Sequence, residues 1–288
     1  MKKGRLSAAE WGERILLALL FSAIGLMIVV VFSPWRPLLS RVTDYLGRIG
    51  LIVLLLIAVV LVRRNKRWEN HAQILYGLLI MAFAVSLDWI FGIYLINYLG
   101  INDNTPAGWA LLKLNECAVV AGVIILCTRI FGGSLGSIYI QKGKLKLGLI
   151  IGAIAFVIAA AGSFPMATLM FNPRDLTLAR VIPWIPWLLI YILANATLEE
   201  LLFRGLFLRK LQPFYGRFIS NLLIAVVFTL LHRGVAYTPN EYIFLAILFP
   251  LALAWGYITQ KTDSIWGSIL FHAGMDIPIM LGIFSNLP

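Results

Sequence analysis

Three carboxylates, two histidines and an arginine interrupt apolar runs in the last third of the chain, at spacings that suit acid–base chemistry. In Asn195-Ala196-Thr197-Leu198-Glu199-Glu200-Leu201-Leu202-Phe203-Arg204, Glu200 and Arg204 are i and i+4, so a helix pairs them on one face. Glu199 is turned about 100° away and keeps a carboxylate without that partner, as a general base requires. Its own face carries Asn195 and Phe203. His232 ends the run Phe228-Thr229-Leu230-Leu231-His232, beyond a turn signalled by Pro213 and Gly216. About 21 Å of helix separates Glu199 from Pro213 and about 24 Å separates Gly216 from His232, so an antiparallel hairpin brings the two side chains to matched depth. His272 and Asp276 are again i and i+4: Asp276 either holds the His272 tautomer or shares a ligand with it. Gly274 and Pro278 loosen the helix around them, which suits a cavity.

These groups are placed against a cost, because the chain around them reads as membrane-spanning. Of 288 residues, 61% are hydrophobic and only 13% charged, with a mean hydropathy of +0.90. An ordinary soluble domain carries about twice that charge, so a soluble globule, a disordered chain and a disulfide scaffold are excluded. A charge at bilayer depth costs at least about 2.5 to 3.5 kcal/mol, which makes each one a site hypothesis. With about 20 apolar residues per span, nine helices are expected: Arg14–Phe32, Leu46–Val62, Ile74–Leu99, Trp109–Phe131, Leu147–Phe171, Ile182–Leu211, Phe218–His232, Tyr242–Thr259 and Ile265–Phe284. The fold class is therefore all-α, a polytopic membrane bundle of eight or nine helices. It divides into N-terminal transmembrane helices over 1–181 and a catalytic core over 182–288.

The net charge of +11 comes from basic residues in short loops rather than from a nucleic-acid-binding face, so the expected partners are membrane lipids and no nucleic acid. With the N-terminus, a basic retained signal-anchor over Met1–Arg14, on the cytoplasmic side, 17 of the 24 Lys and Arg fall inside. The 7 outside are Arg36, Arg41, Arg48, Lys113, Arg174, Arg180 and Arg233, and the C-terminus is external. Cys117 and Cys127 lie about 15 Å apart on one helix and cannot pair. Trp11, Trp35, Trp68, Trp184 and Trp266 read as interface anchors. The small residues of Gly148–Gly162 read as close helix packing.

Glu-Glu-x-x-x-Arg at 199–204, Phe-x-x-x-His at 228–232 and His-x-x-x-Asp at 272–276, in this order over Ile182–Phe284, resemble the three motifs of the CPBP family. That family comprises type II CAAX prenyl proteases and Abi-type, bacteriocin-processing membrane proteins. The flanking Gly205 and Ser264-Ile265-Trp266 fit as well. The resemblance implies an intramembrane metalloprotease that hydrolyses a membrane-associated protein or peptide, prenylated CAAX-type tails included, near the cytoplasmic side. Asp276 departs from the commoner Asn of the third motif, and an ionised Asp would repel an oxyanion.

Two mechanisms stand. In one, Glu199 deprotonates a water that His232 helps to position, while His272 and Asp276 stabilise the oxyanion. In the other, His232, His272 and a carboxylate, Asp276 or Glu199, bind Zn²⁺, which acidifies its water; there is no His-Glu-x-x-His motif. Glu200, Arg204, Asn195 and Phe228 support the site in both. Asp88 and Glu116, also in apolar runs, read as pairing or cavity-lining groups, with proton or ion handling as the alternative. A non-catalytic immunity or chaperone-like factor on the same scaffold, and a small-solute carrier, are the competing functional classes.

Overall fold

The computed structural model describes residues 7–32 and 38–288. The basic residues before Ser7, Trp35 and Arg36 lie outside the described residues. Within them the chain is helical, and no strand occurs. Helix α1 (Ala8–Leu26) opens with a capping box at Ser7 and Glu10 and runs into a π-helical turn, Met27–Val31. It is followed by α2 (Arg41–Arg63), α3 (Glu69–Leu99) and α4 (Pro106–Ile130). Thr105 caps α4 and proline occupies its first turn, where a missing N–H costs nothing. Helices α5 (Leu145–Ala161) and α6 (Ser163–Phe171) form a pair bent by 64°. A short α7 (Leu178–Val181) leads to α8 (Ile185–Glu200), a π-helix over Leu201–Leu208, α9 (Arg209–Leu231), α10 (Glu241–Thr262) and α11 (Trp266–Asn286).

Among the described residues, seven helical segments are long and apolar enough to cross a bilayer, and the bent α5–α6 pair makes eight. One of the seven, Leu178–Leu231, is 54 residues long and breaks at Gly216, where φ is 71°. Glycine adopts that backbone without steric cost. Beyond the break the chain folds back, since Phe203 and Phe228 lie 5.0 Å apart. Counting the two arms separately gives the nine runs expected from the sequence. The protein is an integral multi-pass membrane protein.

The helices before residue 182 are packed into the later ones. Helix α4 lies against α8, and both α5 and α6 lie against α11. The small residues explain the closeness: a Cβ on Gly267 would sit 2.5 Å from the Gly148 carbonyl oxygen, and one on Gly274 would sit 2.7 Å from Phe156 Cα. Gly274 thus admits the close approach of α5, while its neighbours His272, Met275, Asp276 and Pro278 line a cavity, as expected around it. The stretch Gly148–Gly162 packs as read from the sequence.

Two cations counted on the external side, Arg48 and Lys113, lie within the expected helices and are buried there. Arg48 pairs with Asp44 at 2.7 Å within α2, and Lys113 pairs with Glu116 at 2.5 Å within α4. An i,i+4 or i,i+3 partner neutralises each, so these charges mark no loop. Glu116 is thus a pairing group, and Asp88 is buried in α3. Trp11, Trp68 and Trp266 are surface-exposed as anchors would be, whereas Trp184 is half-buried and packs on Phe284.

Candidate active site

The site is built on four elements. Helix α8 supplies Asn195, Glu199 and Glu200; the adjoining π-helix supplies Arg204. The last turn of α9 supplies Phe228 and presents His232 at its C-cap, and α11 supplies His272 and Asp276. A π-helical stretch is uncommon and concentrates at functional sites; here it follows Glu200 directly and places Arg204 wholly out of contact with the surface.

Glu200 is the hub. Its Oε1 accepts from Arg204 Nη1 at 2.9 Å and lies 3.0 Å from His272 Nδ1. Arg204 Nη2 also donates to the Ala252 carbonyl at 3.0 Å, and its guanidinium lies over the Phe228 ring at 4.5 Å. Such a pair is tolerated in the interior because each charge faces the other and further hydrogen bonds, although Glu200 Oε2 and Arg204 Nε are left without one. The carboxylate accepts, so His272 carries its proton on Nδ1 and turns Nε2 toward the other two acids. Nε2 lies 3.5 Å from Glu199 Oε2 and 3.7 Å from Asp276 Oδ1. Asp276 Oδ2 accepts from Asn195 Nδ2 at 3.0 Å. The tautomer of His272 is therefore set by Glu200, not by Asp276 as the i,i+4 spacing suggested. The indole of Trp255 stacks flat on the imidazole, 3.9 Å away and inclined by 9°, which fixes the remaining ring rotation.

His232 Nδ1 bonds the Phe228 carbonyl at 2.8 Å. A carbonyl only accepts, so Nδ1 carries the proton and the neutral ring keeps Nε2 as an acceptor. Glu199, His232, His272 and Asp276 line one cavity of about 770 Å³, together with Lys113 and Tyr191. The antiparallel arms around Gly216 thus bring Glu199 and His232 to a common space, as matched depth required. Sequence reading missed Trp255, one aromatic residue among many in an apolar run. It also missed Lys113 as a wall of the site, although its spacing from Glu116 was a usable signal.

Among the described residues, no group of three or more His, Cys, Asp or Glu side chains is arranged to hold a metal ion. His272 and His232 commit Nδ1 to Glu200 and to the Phe228 carbonyl, which leaves Nε2 of each as the atom that could ligate. His232, His272 and a carboxylate, Glu199 or Asp276, would hold Zn²⁺ if one binds, and it would acidify a bound water; no step below runs through a metal.

Residues 181–278 match the family model described as type II CAAX prenyl endopeptidase Rce1-like. No curated protein and no solved structure shows significant similarity to the chain. The matched segment holds Asn195, Glu199, Glu200, Arg204, Phe228, His232, Trp255, His272 and Asp276. The match covers about a third of the chain, and over that segment the chain is similar to the type II CAAX prenyl endopeptidases.

Proposed function

We propose that the protein is an intramembrane endopeptidase in which Glu199 activates water for attack on a peptide bond of a membrane-associated polypeptide. The observation that carries this reading is the asymmetry of the glutamate pair. Glu200 Oε1 is held by both Arg204 and His272 and Glu200 does not line the cavity, whereas Glu199 lines the cavity, faces His272 Nε2 and keeps Oε2 without a hydrogen bond. A carboxylate so placed accepts a proton from water. His232, through its free Nε2, orients the water or the scissile carbonyl. The proton then passes through Glu199 to the leaving amine, and peptide plus water becomes a carboxylic acid and an amine. Nε2 of His272 faces two carboxylates, so a proton among the three is required. Carried by His272, it donates to the oxyanion, and Asp276, held by Asn195, offsets the imidazolium charge. That role avoids the repulsion an ionised Asp would exert on the oxyanion directly.

The basic loops support a cytoplasmic N-terminus and an external C-terminus. The test is Glu199→Gln, assayed by comparing membrane proteomes with and without the active protein. Processing of the substrates so identified should fall by at least about a hundredfold with the fold intact. Full processing by a well-folded variant removes Glu199 as the base.

A further inference from the structure

Of the polar side chains that line the cavity, the reaction uses Asn195, Glu199, His232, His272 and Asp276. Lys113 is not among them, yet it lines the same space from α4. A cation within a membrane-spanning helix is costly to insert and is retained where it finds a partner or serves a pathway or ligand. Pairing accounts for part of its presence. Glu116, three residues on, accepts from Lys113 Nζ at 2.5 Å and offsets the charge in apolar surroundings. The two partners are presented differently, however. Lys113 is part of the cavity lining and Glu116 is not, so the pair offers the cavity its positive end.

Helix α8 sets where that charge stands along the site. Tyr191, Asn195 and Glu199 are i, i+4 and i+8 on this helix, so they form one stripe, and all three line the cavity. At one end of the stripe His272 Nε2 faces Glu199 at 3.5 Å. In the middle Asn195 holds Asp276. At the far end Lys113 Nζ lies 5.6 Å from the centroid of the Tyr191 ring, within cation–π range. Trp109, one turn before Lys113 on α4, lies 6.1 Å from the same ring. Tyr191 and Glu199 are about 12 Å apart along the helix, the length of about three or four residues of extended chain. Apart from the histidines, the other cation in the lining is Arg233, which is exposed in the segment after α9.

We infer that Lys113 binds a carboxylate of the substrate, about three or four residues along the chain from the bond that Glu199 attacks. The inference rests on reading the site as a protease, and it adds a recognition element from a helix outside the matched segment. A carboxylate entering a mostly apolar chamber gives up its water, and a charge-assisted hydrogen bond to a fixed ammonium replaces that hydration. Glu199, which would repel a carboxylate beside it, stands at the other end of the stripe. The end of the substrate chain and an acidic side chain at that distance present the same group.

Peptide binding tests it. The full chain carrying Glu199→Gln, so that no turnover intervenes, is titrated in detergent with acetylated leucine peptides of two to six residues. Each is supplied as the free acid and as the terminal amide, and affinity is read from the shift of the thermal unfolding midpoint. The acids of three or four residues should bind at least about tenfold more tightly than their amides. That preference should persist with Lys113→Arg and vanish with Lys113→Met/Glu116→Met, which strands no carboxylate; should that pair not fold, Lys113→Gln/Glu116→Gln reads the same loss. Amides carrying one glutamate at the third or fourth position identify the source. Tight binding by the acids alone assigns the chain end, and tight binding by these amides as well assigns an acidic side chain. Equal binding of acid and amide at every length, with the glutamate series no better, overturns the inference, as does a preference that survives the loss of Lys113. A protein that shows the preference yet, as wild type, cleaves nothing defeats the protease reading and leaves the carboxylate site standing. Processing that depends on Glu199, without the preference, defeats the carboxylate site alone.

Discussion

Arg204 and Glu200 illustrate how a buried ion pair can serve both stability and chemistry. Removing Arg204 alone, as Arg204→Met, strands Glu200 among apolar groups and should cost about 3 to 5 kcal/mol, read as a lower thermal unfolding midpoint in detergent. The double variant Glu200→Leu/Arg204→Met removes both charges and should recover most of that stability. It should not recover activity, because Glu200 also holds His272 Nδ1. Recovery of both would reduce the pair to a structural role. Trp255 acts on the same imidazole through its face. An aromatic contact of this kind is worth about 0.5 to 1.5 kcal/mol; Trp255→Leu should therefore lower kcat about two- to tenfold, while Trp255→Phe retains most of it. Equal losses in the two variants would show that the stacked ring is not what matters.

Helices that touch through glycine have no slack, and the α5–α11 contact is the clearest case. Gly267→Val would drive side-chain atoms into the Gly148 backbone. Forcing extra methyl groups into such a contact costs about 1 to 3 kcal/mol, visible as an earlier thermal transition; an unchanged midpoint would mean that α5 is free to move aside. The elements themselves were legible in the sequence, because long apolar runs and the turn at Pro213 and Gly216 depend on local composition. The pairing of Glu200 with Arg204 was legible for the same reason, one helical turn being a local fact. What escaped was contact across helices. The bond from Glu200 to His272 spans 72 residues, and the stack of Trp255 on His272 joins two helices whose relative rotation no single-helix period reveals. Arg48 and Lys113 fell within the expected helices, but their burial beside Asp44 and Glu116 was not legible, because it depends on which face packs against neighbouring helices.

At the scale of the molecule, helices that precede the matched segment are part of the candidate chamber and not an appendage to it. Lys113 and Trp109 from α4 and Met166 and Met170 from α6 line the same space as Glu199 and His272. The matched family segment thus supplies the reacting groups, while the preceding helices supply much of the wall that a substrate would meet. The wall that the buried Arg204 and the stacked Trp255 form beside Glu200 and His272 has a kinetic counterpart. A chamber with a floor cannot work as a tunnel, so both fragments of a cleaved chain must leave by the route through which the intact chain arrived. The fragment retained longer then occupies the place of the next substrate. Added fragment should raise KM for the parent polypeptide without changing kcat, a competitive pattern in initial-rate measurements, whereas a separate exit would give inhibition that lowers kcat.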